Sequence, residues 1–166
     1  MHVASRRSAL AFGMAAVLAG CGFELRRAPT LHFRMIALTG FKANSPLAEE
    51  LRTTINASQT TLVVEAASQA QVVLDAVTDV RERSVVASTA AGQVRELQLR
   101  VRLQFRLRTS AGKELIPTTE LLLSRDMSYS ESIALAKEQE EALLFRTMQS
   151  DIVAQVMRRL AAVTAL

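Results

Sequence analysis

From Leu97 to Arg108 the chain alternates without a break. Leu97, Leu99, Val101, Leu103, Phe105 and Leu107 are apolar, and Gln98, Arg100, Arg102, Gln104, Arg106 and Arg108 stand between them. A period of two sends alternate side chains to opposite faces of a strand. The pattern therefore predicts a strand over residues 94–109, with one face in a core and the other carrying arginines. Residues 72–89 read as a second long strand, joined to the first around Ala91-Gly92, where glycine supplies the backbone freedom of a hairpin turn. A further turn at Ser110-Ala111-Gly112-Lys113 leads into a strand over residues 115–129, interrupted early by Pro117. Residues 30–39 and 62–65 complete the predicted strands.

Two segments follow a helical period instead. Ser45-Pro46 places a capping hydroxyl before a proline at the first helical position, and Leu47, Leu51 and Ile55 recur every four residues up to Ala57. Residues 134–162 read as a long helix with a stripe of Leu144, Met148, Ile152, Val156 and Leu160 that runs on to Val163. Glu138, Glu140 and Glu141 lie toward its start, and Arg158 and Arg159 lie at its end, the arrangement that complements the helix dipole. Together these elements predict an α/β (α+β) two-layer sandwich: a mainly antiparallel sheet of four to five strands with two helices on its apolar face.

The N-terminus has its own pattern. Arg6 and Arg7 precede an apolar run, residues 8–19, far too short to cross a bilayer core of about 30 Å as a helix. The run ends in Leu18-Ala19-Gly20-Cys21, an aliphatic residue, two small residues and a cysteine, which is a lipobox. It predicts a signal peptide over 1–20, a diacylglyceryl thioether on Cys21, a lipidated tether over 21–30 and one domain over 31–166. Gly22 stands where an aspartate would signal retention at the inner membrane, so the expected address is the outer membrane, facing the periplasm. Two or more acyl chains, at about 0.8 kcal/mol per buried CH₂, suffice to hold it there.

Composition removes several functions. The net charge of +4 includes Arg6 and Arg7, so what remains is only mildly basic and gives no argument for nucleic-acid binding. Lys42, Lys113 and Lys137 are the only lysines, and the other bases are arginines, which suit bidentate contacts with carboxylate or phosphate. Cys21 is the single cysteine, so no disulfide is expected. His32 is the one histidine beyond the signal peptide, and no Cys/His cluster, phosphate loop or nucleophile elbow accompanies it. Neither a cofactor nor a metal site is expected. The glutamates of the last helix read as a solvated face, and enzyme activity is not expected.

The arginine face admits two readings. It is a solvated surface partly paired with Asp75, Asp79 or Glu120 on neighbouring strands, or it is a contact surface for a phosphorylated or acidic partner, where each base contributes about 1 kcal/mol near an anionic surface. Arg100, Arg102 and Arg106 are the candidate contact residues on this face.

Several short motifs occur in a telling order. Cys21-Gly22-Phe23-Glu24-Leu25-Arg26 follows the lipobox, Ser45-Pro46-Leu47 opens the first helix, Gly92-Gln93-Val94-Arg95-Glu96 forms a turn, Ala134-Leu135-Ala136-Lys137-Glu138 precedes Glu140-Glu141, and Arg158-Arg159-Leu160 ends the last helix. This series resembles the LptE family of lipopolysaccharide-assembly lipoproteins. The resemblance implies an α/β sandwich that sits as a plug in the lumen of an outer-membrane β-barrel of the LptD type, in a one-to-one complex that delivers lipopolysaccharide to the outer leaflet. It further implies that Lys137 contacts lipid A phosphates. Two positions depart from the family: Ala90 replaces an arginine found before the turn glycine, and Arg27 replaces a frequent glycine. Arg95 or Arg100 stands near enough in sequence to substitute for the first. A barrel lumen is polar, so a charged sheet face suits a plug. The competing reading is a free carrier or chaperone for an acidic lipid, which predicts an enclosed apolar pocket.

Overall fold

The computed structural model describes residues 29–165. The predicted signal peptide, Cys21 and most of the predicted tether lie outside them. Nine elements follow in order: β1 (Met35–Thr39), α1 (Pro46–Ala57), β2 (Leu62–Val64), a 3₁₀ turn (Ala67–Gln69), β3 (Val72–Ser88), β4 (Val94–Thr109), β5 (Glu114–Ser128), a second 3₁₀ turn (Glu131–Ile133) and α2 (Ala134–Ala161).

The strands form one sheet in the order β2-β1-β3-β4-β5. β3, β4 and β5 make a long antiparallel meander, while β1 runs parallel to both its neighbours. The sheet is therefore mixed. α1 causes this: as a crossover between β1 and β2 it returns the chain to the end where β1 began. The 67–69 turn then carries it past β1, so β3 starts at that end too. β1 is also shorter than the apolar pattern suggests, because neither β2 nor β3 extends far enough to pair with residues 30–34. Leu31 and Phe33 are nevertheless buried, and the Thr61 hydroxyl donates to the Phe33 carbonyl at 2.5 Å.

α1 begins as its sequence dictates. Ser45 Oγ accepts from the Ala48 N–H at 3.2 Å, satisfying one of the orphan donors of the first turn, and Pro46 occupies a position whose N–H needs no partner. Leu47, Leu51 and Ile55 are fully buried, as are Met148, Ile152, Val156 and Leu160 of α2. Both helices cover the β4 side that bears Leu99, Val101, Leu103, Phe105 and Leu107, in one continuous core. Each such buried side chain contributes about 1.5–3 kcal/mol. No helix among the described residues is long and apolar enough to cross a membrane.

Of the sheet's register shifts, two set which residues share a face. On β5, Phe105 opposes Thr119 and Leu107 opposes Ile116, so the ladder steps around Pro117. That step is tolerated because β5 is an edge strand. On β3 the register shifts between Ala76 and Thr78, leaving Val77 extra. Past that point, side chains that follow the Asp75 parity change face.

Candidate anion-binding face

The sheet side away from the helices is set out by the register. Glu82, Arg100 and Ser124 form one cross-strand row, Val80, Arg102 and Leu122 the next, and Thr78, Gln104 and Glu120 the one after. Beyond them Asp75 opposes Arg106, with Arg108 the next same-face residue of β4. At the β1 end this side is not bare. Ala37, Ala70 and Val73 form a small buried cluster with Val64 and Ala67, so the 67–69 turn covers the sheet there.

The covering decides the electrostatics. Asp75 accepts from Arg108 Nε at 2.8 Å and from Arg106 Nε at 3.2 Å, and the Thr39 hydroxyl also donates to it. Burial alone pushes the Asp75 carboxyl up, but the hydrogen bonds of Arg108 and Thr39, the charge of Arg108 and the bond from Arg106 outweigh it and hold the group below its ordinary value. Asp75 in turn raises the Arg108 guanidinium further.

The other half of the stripe is less committed. Arg100 Nε donates to Gln98 Oε1 at 2.7 Å, a neutral acceptor on its own strand. Arg102 approaches Glu82 only to 4.0 Å, and its Nε is buried without a hydrogen-bond partner. An unpaired buried donor costs about 1–3 kcal/mol, while the rest of the Arg102 guanidinium reaches solvent, its side chain being 38% exposed. Arg100 and Arg102 are same-face neighbours, about 6.6–6.8 Å apart along the strand. Val80 and the half-exposed Leu122 flank Arg102. The arrangement offers two guanidinium groups over an apolar step, which suits a phosphate or carboxylate attached to a greasy body.

The five candidate bases thus occupy two places. Arg100, Arg102 and Arg106 share the open face. Arg95 lies at the far end of β4, beside Ser130, Glu131 and Ser132 in a shallow hollow. Lys137, on the first turn of α2, donates to Ser128 Oγ at 3.0 Å and to Glu140 Oε2 at 2.8 Å, with its side chain only 13% exposed. Its partner Ser128 opposes Glu96, so Lys137 sits at the same far end as Arg95. Of the carboxylates expected to pair with the stripe, Asp75 does so. Glu120 accepts from Gln104 Nε2 at 2.7 Å, and Asp79 accepts from the Ser45 hydroxyl at 2.5 Å. Asp79 opposes Leu103, on the helix side, because of the Val77 bulge.

Sequence reasoning missed Gln149. It is buried on α2, donates to the Pro46 carbonyl at 3.0 Å and to Glu50 at 2.5 Å, and accepts from Arg81. It ties both helices to β3. Its only signal is a polar residue beside the apolar stripe. Among the described residues no group of three or more His, Cys, Asp or Glu side chains is placed to hold a metal ion.

Three solved structures share this architecture. Lipoprotein B of Nitrosomonas europaea is 30% identical, with a TM-score of 0.69 over 85% of this chain and 91% of that one. Rare lipoprotein B of Shewanella oneidensis is 22% identical, with a TM-score of 0.63 over 78% of this chain and 95% of that one. A minor lipoprotein of Acinetobacter baumannii is 18% identical, with a TM-score of 0.62 over 80% and 94%. The last two show the fold alone. No curated protein matches the chain in sequence. The profile of LptE, described as lipopolysaccharide-assembly, matches residues 33–160, so the chain belongs to the LptE family.

Proposed function

We propose that this chain is a lipopolysaccharide-assembly lipoprotein, anchored through Cys21 in the outer membrane, that plugs an LptD-type β-barrel and binds lipopolysaccharide through its basic surface. The observation that carries the binding reading is the solvent-reaching Arg100–Arg102 pair, with no carboxylate closer than 4.0 Å among the described residues and an apolar neighbour in Leu122. The split of the stripe also supports it: Arg106 and Arg108 share one carboxylate at hydrogen-bond distance, while among the described residues Arg100 has no carboxylate within 4.0 Å and Arg102 meets Glu82 only at that distance. A carrier that encloses lipid is less well supported, since the core between helices and sheet is filled by buried side chains and the two clefts beside Arg81 are open and charge-lined.

The deciding experiment has two parts. A pull-down of the acylated protein from detergent-solubilised outer membranes should yield a one-to-one complex with a large β-barrel; a solitary monomer carrying lipid would refute the plug. Lipopolysaccharide binding to the purified chain should fall when Arg100 and Arg102 become glutamine, and unchanged binding would return the face to ordinary solvated surface.

A further inference from the structure

The opposite flank of the sheet holds an unclaimed edge. β1 pairs with β3 only over Val72–Asp75, whereas β3 pairs with β4 along its whole length to Ser88. The loop after β1 covers the next stretch, with Gly40 against the Ala76 carbonyl and Ser45 bonded to Asp79. Residues 80–88 therefore have a strand on one side and none among the described residues on the other. Within this stretch the ladder to β4 is regular up to Val85, which opposes Leu97.

An exposed edge is usually guarded by charges that project into the space a new strand would take. Here the nearest such charges are drawn back. Arg81 donates to Gln149 and lies over the Phe145 ring at 5.8 Å, and Arg83 pairs with Glu141 at 3.2 Å. Both are held toward α2, where with Arg146 they line a cleft of about 590 Å³ alongside the edge. Arg146 is exposed and has no carboxylate within 4.0 Å among the described residues. Glu138 and Glu141 answer three arginines, which leaves the cleft net positive.

We propose that residues 80–87 of β3 receive an extended acidic segment of a partner protein as an added strand. Main-chain hydrogen bonds to the edge would supply the affinity. Acidic side chains at alternate positions, facing Arg81, Arg83 and Arg146 in the cleft, would supply the selectivity. This site is separate from the arginine face and does not depend on lipopolysaccharide binding.

Amide hydrogen exchange of the purified chain tests it, with a synthetic peptide alternating aspartate and valine as probe. Saturable protection confined to residues 80–87 is expected. It should weaken about tenfold or more with a lysine–valine peptide, as reversed cross-strand charges require, and vanish when alternate peptide nitrogens are methylated. The variant Arg146→Glu, an exposed change, should weaken the aspartate peptide while leaving the melting temperature unchanged. Absence of protection, equal protection by both peptides, or protection only along β5 would overturn the proposal. So would protection that rises with protein concentration without peptide, since the occupant would then be a second copy.

Discussion

Asp75 and Arg108 meet at 2.8 Å where the 67–69 turn begins to cover the sheet, and this contact separates the structural part of the arginine stripe from the free part. The Asp75 side chain is only 16% exposed, so removing its charge leaves Arg106 and Arg108 facing each other without a counter-ion. Asp75→Asn should cost about 1–2 kcal/mol, near the lower end for hydrogen bonds to charged groups because both arginines reach solvent. The pH dependence follows from the lowered carboxyl. Its contribution is complete above the unfolded value near 3.8 and is lost as pH falls through the still lower folded value. Chemical denaturation of both proteins should show a gap that is constant near neutrality and closes below about pH 4.

Neutralising the two halves of the stripe should give opposite results. Arg100→Gln with Arg102→Gln removes charge that the fold does not use, so stability should change by less than about 0.5 kcal/mol while lipopolysaccharide binding falls. Arg106→Gln with Arg108→Gln strands the Asp75 carboxylate and should destabilise the domain by about 1–3 kcal/mol with a smaller effect on binding. Denaturation and binding measured on the same preparations check the pair. Equal behaviour of the two double variants would erase the division of the stripe.

How far the sequence leads is clearest along β4. Its alternation is unbroken, and every apolar member from Leu97 to Leu107 is buried as a period of two demands. The Ser45-Pro46 cap and the α2 stripe were equally plain, since both are local devices. β3 was not. Its side-chain phase depends on the extra residue at Val77, which lies just past the last β1 pair at Asp75. No local signal marks that bulge, so the alternation alone puts Asp79 on the arginine face, whereas it faces the helices and meets the Ser45 cap of α1. The parallel pairing of β1 was hidden for a similar reason, because it follows from where α1 returns the chain. The candidate site was legible as a list of bases. Its division between the open face and the far end of β4 was not, because Lys137 arrives from a helix.

Gly40 and Gly92 share a positive φ of 78° but should respond very differently to alanine. A Cβ at Gly92 meets nothing within 4 Å, so Gly92→Ala carries only the backbone penalty of the left-handed region, about 1–2 kcal/mol. At Gly40 the same atom would stand 2.1 Å from the Ala76 carbonyl oxygen, which β3 holds in place. Gly40→Ala adds that clash to the penalty and should cost at least about 3 kcal/mol in thermal or chemical denaturation.

Ile152 separates a packing fault from a charge fault. It is fully buried at the centre of the α2 stripe, among residues of both helices and the sheet. Ile152→Ala removes methyl and methylene groups and leaves a cavity, a loss of about 2–5 kcal/mol that a domain of this size can survive with a lowered melting temperature. Ile152→Asp places a carboxylate where no donor is available, and the cost of an unpaired buried charge exceeds the total stability of about 5–15 kcal/mol expected for a single domain unless the group protonates. The aspartate variant should therefore lack cooperative unfolding at neutral pH and regain part of its structure on mild acidification, when the carboxyl becomes neutral. Circular dichroism across pH 4–7 on both variants reads this directly, and an aspartate variant that unfolds cooperatively at neutral pH would show that α2 is not seated in the core as described.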